Sequence, residues 1–306
     1  MLGKKDNDMD KVISLLSSPT TLLWSAITSA GVSAVVSSAV AYCFKRGENR
    51  HKVKVEYEYE QRRKHHELIG RYKGRLLNAA NSLMYRQWNI YRNNTRGWLK
   101  RDVGGSSDGY YFSSTVYRFL CLCGLVRQLE TESIMLDPGI AKEADFSLLK
   151  YAAMLHWVMT DVSLFEGVAY NDAEQTDHFF SDEFRQYGER CLVDGKLLNF
   201  SQFKDGPYTD GDVERVLQFF DGLRRSEERL RWDRLVALHL VLMAFINTFG
   251  YDWQYSSADK FEQVAGQMKN REILGNLVGW LTRHHLSSDK EARKIIMAQN
   301  RKFARA

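Results

Sequence analysis

Proline is almost missing. Pro19, Pro138 and Pro207 are the three in 306 residues, and the last two sit in the turn-like segments Asp137-Pro-Gly139 and Asp205-Gly-Pro207. Long stretches therefore run without the residue that most effectively breaks helices, and proline-rich linkers are excluded. Cysteine is equally sparse. Cys43, Cys121, Cys123 and Cys191 are unevenly spaced and give no disulfide framework, which fits a reducing compartment. Missing too are the phosphate-cradling G-x-x-x-x-G-K-[ST], the dinucleotide fingerprint G-x-G-x-x-G and the zinc helix H-E-x-x-H, so the sequence offers no nucleotide, zinc or cofactor site of those types.

Charge is absent in one place of special length. Leu22 to Phe44 run for twenty-three positions without a charged residue. At about 1.5 Å per helical residue such a run reaches across a hydrocarbon core of about 30 Å. A cleaved secretory signal would be shorter and would end in a small-residue cleavage site, whereas this run ends in Tyr42-Cys-Phe-Lys-Arg46. The spacing predicts a transmembrane helix over 20–44 behind a short extracytoplasmic tail, 1–19, with Ser18 as N-cap and Pro19 in the first turn.

Orientation follows from the flanks. Lys4, Lys5 and Lys11 before the run are matched by Asp6, Asp8 and Asp10, whereas Lys45, Arg46, Arg50, Lys52 and Lys54 follow it closely. The basic side stays in the cytoplasm, so the reading is a single-pass protein of a bacterial inner membrane, N-terminus out and C-terminus in. Those five cations are the expected contacts to anionic lipid. The formal net charge of +5 is not spread evenly: residues 45–75 carry +6 and 289–306 carry +4, while 76–288 carry −5. A nucleic-acid partner is therefore not expected, since it would call for a basic face on the folded domain.

Within the apolar run Ser25, Ser29, Ser33 and Ser37 recur every four residues, beside a second row of Ala26, Ala30, Ala34 and Ser38. Small residues let helix backbones approach closely in lipid, so the serine row is the expected packing face for self-association.

Beyond the membrane the pattern predicts an all-α architecture: a basic helical stalk over 45–71, a helical cytosolic domain over 72–288 and a basic C-terminal tail over 289–306. Oppositely charged residues four apart, such as Lys52 with Glu56 and Glu60 with Lys64, favour helix in the stalk despite a strand-like alternation at Val53, Val55, Tyr57 and Tyr59. Gly104 to Gly109 read as a loop, and further helices are expected at about 112–135, 143–168, 178–192, 210–224, 227–250, 257–281 and 288–303. Thr209 or Asp210 and Ser226 are the expected caps of the fourth and fifth. Leu235 to Ile246 are apolar on every face, which suits the central helix of a bundle better than a second, too-short span.

Candidates for chemistry are few. His65-His66 and His284-His285 are adjacent pairs, which point about 100° apart on a helix and suit surface positions. Cys121-x-Cys123 lacks zinc-knuckle spacing. His239 lies inside the apolar helix and reads as a hydrogen-bonded core residue. The acidic stretches 172–183 and 205–214 fail the EF-hand register and read as solvated loops and caps. The sequons at Asn93 and Asn199 have no role in a cytosol. No metal or cofactor is called for, and catalytic residues are unknown.

The segment Tyr72-Lys-Gly-Arg-Leu-Leu-Asn-Ala-Ala-Asn-Ser-Leu-Met-Tyr-Arg-Gln-Trp-Asn-Ile90 resembles the first cytosolic helix of uncharacterised bacterial proteins with one N-terminal transmembrane helix and an all-helical cytosolic domain. That resemblance implies an inner-membrane location and brings no activity or catalytic residue. The function expected is a membrane-tethered helical scaffold or regulatory protein, with a stress or phage-response system as one setting. The alternative is a membrane-associated enzyme of unrecognised type, with His239, Asp233 or the acidic loops as its candidates.

Overall fold

The computed structural model describes residues 19–101, 109–141 and 143–304; the expected tail before Pro19, the Ser18 cap and most of the Gly104–Gly109 loop lie outside them. Among the described residues the chain is all-α, with ten helices and a single two-residue hairpin. It divides into two compact units, Met1–Gln61 and Arg62–Ala306.

Helix α1, Pro19–Arg92, covers the expected span, the stalk and the first helix of the domain without a break. In the first unit its side chains from Leu23 through Glu56 are exposed. In the second, Leu68, Tyr72, Leu76, Ala80, Leu83 and Met84 form a buried stripe at helical spacing. The helix ends where amide side chains take over its last carbonyls: Asn93 Nδ2 donates to Asn89 O at 3.0 Å and Asn94 Nδ2 to Tyr91 O at 2.8 Å.

Helices α2 (Tyr110–Ser133) and α4 (Ser181–Glu189) cross closely, because two glycines meet at the contact. A Cβ on Gly124 would lie 2.8 Å from the Gly188 carbonyl oxygen, and one on Gly188 would lie 2.9 Å from the Cys123 backbone. Phe119 packs beside this crossing against Phe179, Phe184 and Phe220.

Between them lies α3 (Glu143–Thr160), followed by a 3-10 turn at Val162–Phe165 rather than a helix to 168. Asp161 stops α3 because its carboxylate turns back to accept from the Ser163 amide at 2.7 Å. After α4 the chain forms the hairpin β1 (Leu192–Val193) and β2 (Lys196–Leu197), turning on Asp194 and Gly195, both with positive φ. That conformation at both central residues is a type I′ turn, for which Asp-Gly is a preferred pair. Asn199 and Gln202 then build a reciprocal capping box for α5, Phe200–Asp205. The sequon at Asn199 is thus the signature of a helix start.

Helix α6 spans only Glu214–Phe220, and Thr209 and Asp210 do not cap it; its N-cap is Val213. The central helix α7, Arg231–Phe249, is buried at every position through Ile246. Ser226 lies upstream of its start. Its cap comes from a distant loop instead, Asp177 accepting from the Leu230 amide at 2.9 Å and pairing with Arg229 at 2.7 Å. The expected helix 257–281 is two, α8 (Ala258–Ala265) and α9 (Arg271–Arg283). They part because Gly266 caps the first and because the Lys269 and Asn270 amides turn toward Asp233.

The basic C-terminal segment holds the helix expected at about 288–303, and one side of that helix joins the core. Asp289 caps α10 (Ala292–Ala304) by accepting from the Glu291 and Ala292 amides at 2.8 and 2.9 Å, and Ala292, Ile295 and Ala298 enter the core. Arg301 pairs with Glu262 of α8.

Candidate functional site

A concavity of the second unit, with a volume of about 680 Å³, is lined by His156, Asp161, Asp172, His178, Ser181, Arg185 and His284 among others. Three elements bring its central groups together. His156 sits on the solvent side of α3, and its Nε2 lies 3.0 Å from the hydroxyl of Ser181, the first residue of α4. His178, buried, arrives on the loop before α4, and its Nδ1 takes the Tyr170 hydroxyl at 2.6 Å. That hydroxyl also accepts from the Asp177 amide at 3.1 Å and lies 3.4 Å from Glu174 O. Arg185 of α4 is held by Asp182 at 3.0 Å and by Glu130 at 3.6 Å.

Burial, together with Arg185 and Arg127, pushes the His156 imidazole down to about 4. Burial, together with Arg234 and Arg215, does the same to His178. Both rings are neutral at pH 7. A serine hydroxyl on a neutral imidazole is the geometry of a nucleophile and its base. A hydrolytic triad, however, places a carboxylate behind the imidazole to raise its basicity, whereas arginines dominate the charge around His156. With a pKa near 4 it is a weak base at neutral pH, and the pair is better placed to hydrogen-bond a ligand than to abstract a proton.

The residues singled out from sequence fall elsewhere. Ser25, Ser29, Ser33 and Ser37 share one exposed face of α1, and the Ser29 hydroxyl donates to Ala26 O at 3.0 Å within its own helix. Lys45, Arg46, Arg50, Lys52 and Lys54 are all exposed; Lys45, Arg46, Arg50 and Lys54 share one side of α1, and Lys52 lies off it. Asp233 is fully buried and accepts from the Lys269 amide, the Asn270 amide and Asn270 Nδ2 at 2.7, 3.0 and 2.6 Å. That is a brace, not an acid facing substrate. The acidic stretches serve as caps and pairs: besides Asp177, Glu214 binds Arg101 at 2.7 Å and Asp212 lies 3.4 Å from Arg190. His239 is buried, stacked on Tyr91 with ring centroids 5.2 Å apart, and its Nδ1 has no hydrogen-bond partner. The expected hydrogen bond of a core histidine is thus missing at that nitrogen.

Of the two adjacent-histidine pairs only His65 departs from the surface reading: it is buried, with Nε2 3.1 Å from Asp137 O, whereas His66, His284 and His285 are exposed and His284 lines the cavity. Cys121, Cys123 and Cys191 are buried free thiols, and burial pushes Cys121 up to about 11. The pattern G-x-S-x-G does occur, at Gly105-Ser-Ser-Asp-Gly109, but it follows a helix where a nucleophile elbow follows a strand, and residues 105–108 lie outside the described part. Among the described residues no group of His, Cys, Asp and Glu is arranged to hold a metal.

Comparison with known proteins adds nothing to this geometry: no family model, curated protein or solved structure matches the chain.

The neutral histidines have a measurable consequence. His156 and His178 titrate near 4, and His239, by burial alone, near 3, against about 6.5 in an unfolded chain. A folded pKa below the unfolded one gives stability that is complete above about pH 6.5 and is lost as the pH falls toward 4. Each imidazole contributes a slope approaching 1.4 kcal/mol per pH unit in that window. Melting temperature against pH is expected to fall from pH 6.5 downward, less steeply in His156→Phe and His178→Phe. Parallel curves for wild type and variants would mean that these imidazoles are protonated as easily in the fold as in the open chain.

Proposed function

We propose that this chain is a single-pass membrane protein whose helical domain works on the cytoplasmic face of the cell membrane as a scaffold or regulatory module for a protein partner. One observation carries the membrane part. Among the described residues two helices are long and apolar enough to cross a bilayer. The richest window of α1 is wholly uncovered, while that of α7 is 83% buried by the domain around it. Leu23, Val35 and Phe44 are 61, 70 and 76% exposed. Burying a side chain of this size stabilises by about 1.5–3 kcal/mol, so a whole helix of them calls for lipid or protein around it. Lipid suits the cations that follow this helix, because anionic headgroups lie at the end of a spanning segment.

The first test is topological. A reporter active only in the cytoplasm, fused to Ala306, is expected to be active, and a chain beginning at residue 51 is expected to be soluble and strongly helical. Activity of a periplasm-only reporter at the same position would invert the arrangement.

Self-association through the serine face belongs to the same reading. Ser29→Leu with Ser33→Leu keeps the segment apolar but separates neighbouring backbones, and is expected to lower membrane two-hybrid association by about 1 to 2 kcal/mol. An unchanged signal would make the serine row a matter of composition.

A second reading, an enzyme acting on a membrane-proximal substrate, draws on the Ser181–His156 pair and its cavity. Ser181→Ala separates the two. It would abolish turnover by a nucleophile while leaving capture of a protein partner intact.

A further inference from the structure

A second, smaller cavity, about 90 Å³, opens between α1 and α7 and is lined by Met84, Tyr85, Trp88, His239, Met243, Ser256, Lys260 and Val264. Residues four apart share a helix face, so Met84 with Trp88 on α1 confronts His239 with Met243 on α7. Met84, Met243 and His239 are buried at 7, 1 and 2% exposure, and no protein group satisfies His239 Nδ1. A buried imidazole nitrogen left without a partner is uncommon and calls for an occupant or a role.

The lining narrows the occupant. Besides the Tyr85 phenol, the Ser256 hydroxyl and the Lys260 ammonium it presents two thioethers, one imidazole and an indole, with no carboxylate and no thiol. Hard cations such as calcium and magnesium take oxygen ligands and find no carboxylate here. Structural zinc takes thiolate, imidazole and carboxylate together, and a single histidine does not meet that need. Thioether and imidazole nitrogen are the ligands of a soft cation, for which Cu(I) is the biological example. We propose that Met84, Met243 and His239, beside the Trp88 ring, bind one Cu(I) ion.

The Trp88 ring also walls the cavity, at 85° to the imidazole with centroids 6.4 Å apart. Tyr85, 53% exposed, and Lys260, also exposed, mark the mouth. Lys260 has the sign of the ion, but its exposure leaves the ammonium to water. The Tyr91 ring closes one face of the imidazole, and its hydroxyl is engaged with Leu235 O at 3.4 Å.

The test uses the full chain in detergent, methionine methyls labelled with carbon-13, and Ag(I) as a redox-inert stand-in for Cu(I). The titration is carried past saturation of the four cysteines, which also bind silver. The Met84 and Met243 methyl signals, assigned from Met84→Leu and Met243→Leu, are expected to shift together and to saturate at one equivalent beyond the thiols, with the other methionines unmoved. His239→Leu is expected to weaken this binding by at least about a hundredfold, and each Met→Leu by at least about tenfold. Leu fills nearly the volume of Met, so the variants keep the wild-type melting temperature. Silver taken up by thiols alone, with both methyl signals unmoved, would overturn the site and leave the cavity to water. Undiminished uptake in His239→Leu would overturn it equally.

Discussion

Asp233→Ala is expected to cost the helical domain about 3 to 5 kcal/mol, the range for stranding buried partners of a charged group. The carboxylate is wholly buried and holds three donors, two of them the backbone amides of Lys269 and Asn270. Nothing but this side chain reaches those amides, and a buried donor left unsatisfied costs about 1 to 3 kcal/mol. The same loop carries Lys269, whose ammonium donates to Glu227 O and Arg229 O at 2.7 and 2.9 Å, so loosening it also loosens the segment that starts α7. For a domain of this size about 1 kcal/mol moves the melting temperature by about 2–4 °C, which sets the expected fall at about 6 to 20 °C. Asp233→Asn keeps one acceptor oxygen and is expected to lose less than half as much. The measurement is a thermal melt followed by far-ultraviolet circular dichroism. A loss under about 1 kcal/mol in Asp233→Ala would show that water replaces the carboxylate at little cost.

That brace shows what was and was not legible in the sequence. The all-α class and the central place of α7 followed from periodicity and from the apolar run Leu235–Ile246, because a helix apolar all round has to be surrounded. The helix ends were not legible, since they depend on partners far along the chain. Asp177 caps α7 from 53 residues away, and Asp233 separates α8 from α9 across 36. Both acids looked like solvated or catalytic groups when only their neighbours in sequence were considered. Two local signals were present and unused: Asp194-Gly195 as a hairpin turn, and Asn199 with Gln202 as a capping box. The His156–Ser181 pair had no such signal. Its members are 25 residues apart on different elements, and only the packing of α3 beside α4 joins them. The cavity at His239 was half legible: the histidine stood out inside its apolar helix, but Met84 and Trp88 come from α1, more than 140 residues earlier.

Placing two arginines in α1, Val35→Arg with Val36→Arg, is expected to release the chain from membranes without unfolding its domain. Each arginine near the centre of a spanning helix costs about 2.5 to 3.5 kcal/mol of insertion, so the pair opposes it by about 5 to 7 kcal/mol, a partition change of about four to five powers of ten. The two valines are 70 and 55% exposed in the first unit, so no protein packing is lost when they change. The same substitution in the other apolar helix should act in the opposite way. Val241 is fully buried in α7, and an arginine there puts an unpaired charge into the core. Val241→Arg is therefore expected to stay in the membrane pellet after alkaline carbonate while its domain is digested by protease, whereas the α1 variant should move to the supernatant with a protease-resistant domain. The comparison separates a helix covered by its own protein from one that its own protein leaves uncovered. Release of Val241→Arg with retention of the α1 variant would exchange the two assignments, making α7 the spanning helix and the uncovered part of α1 a surface for another protein.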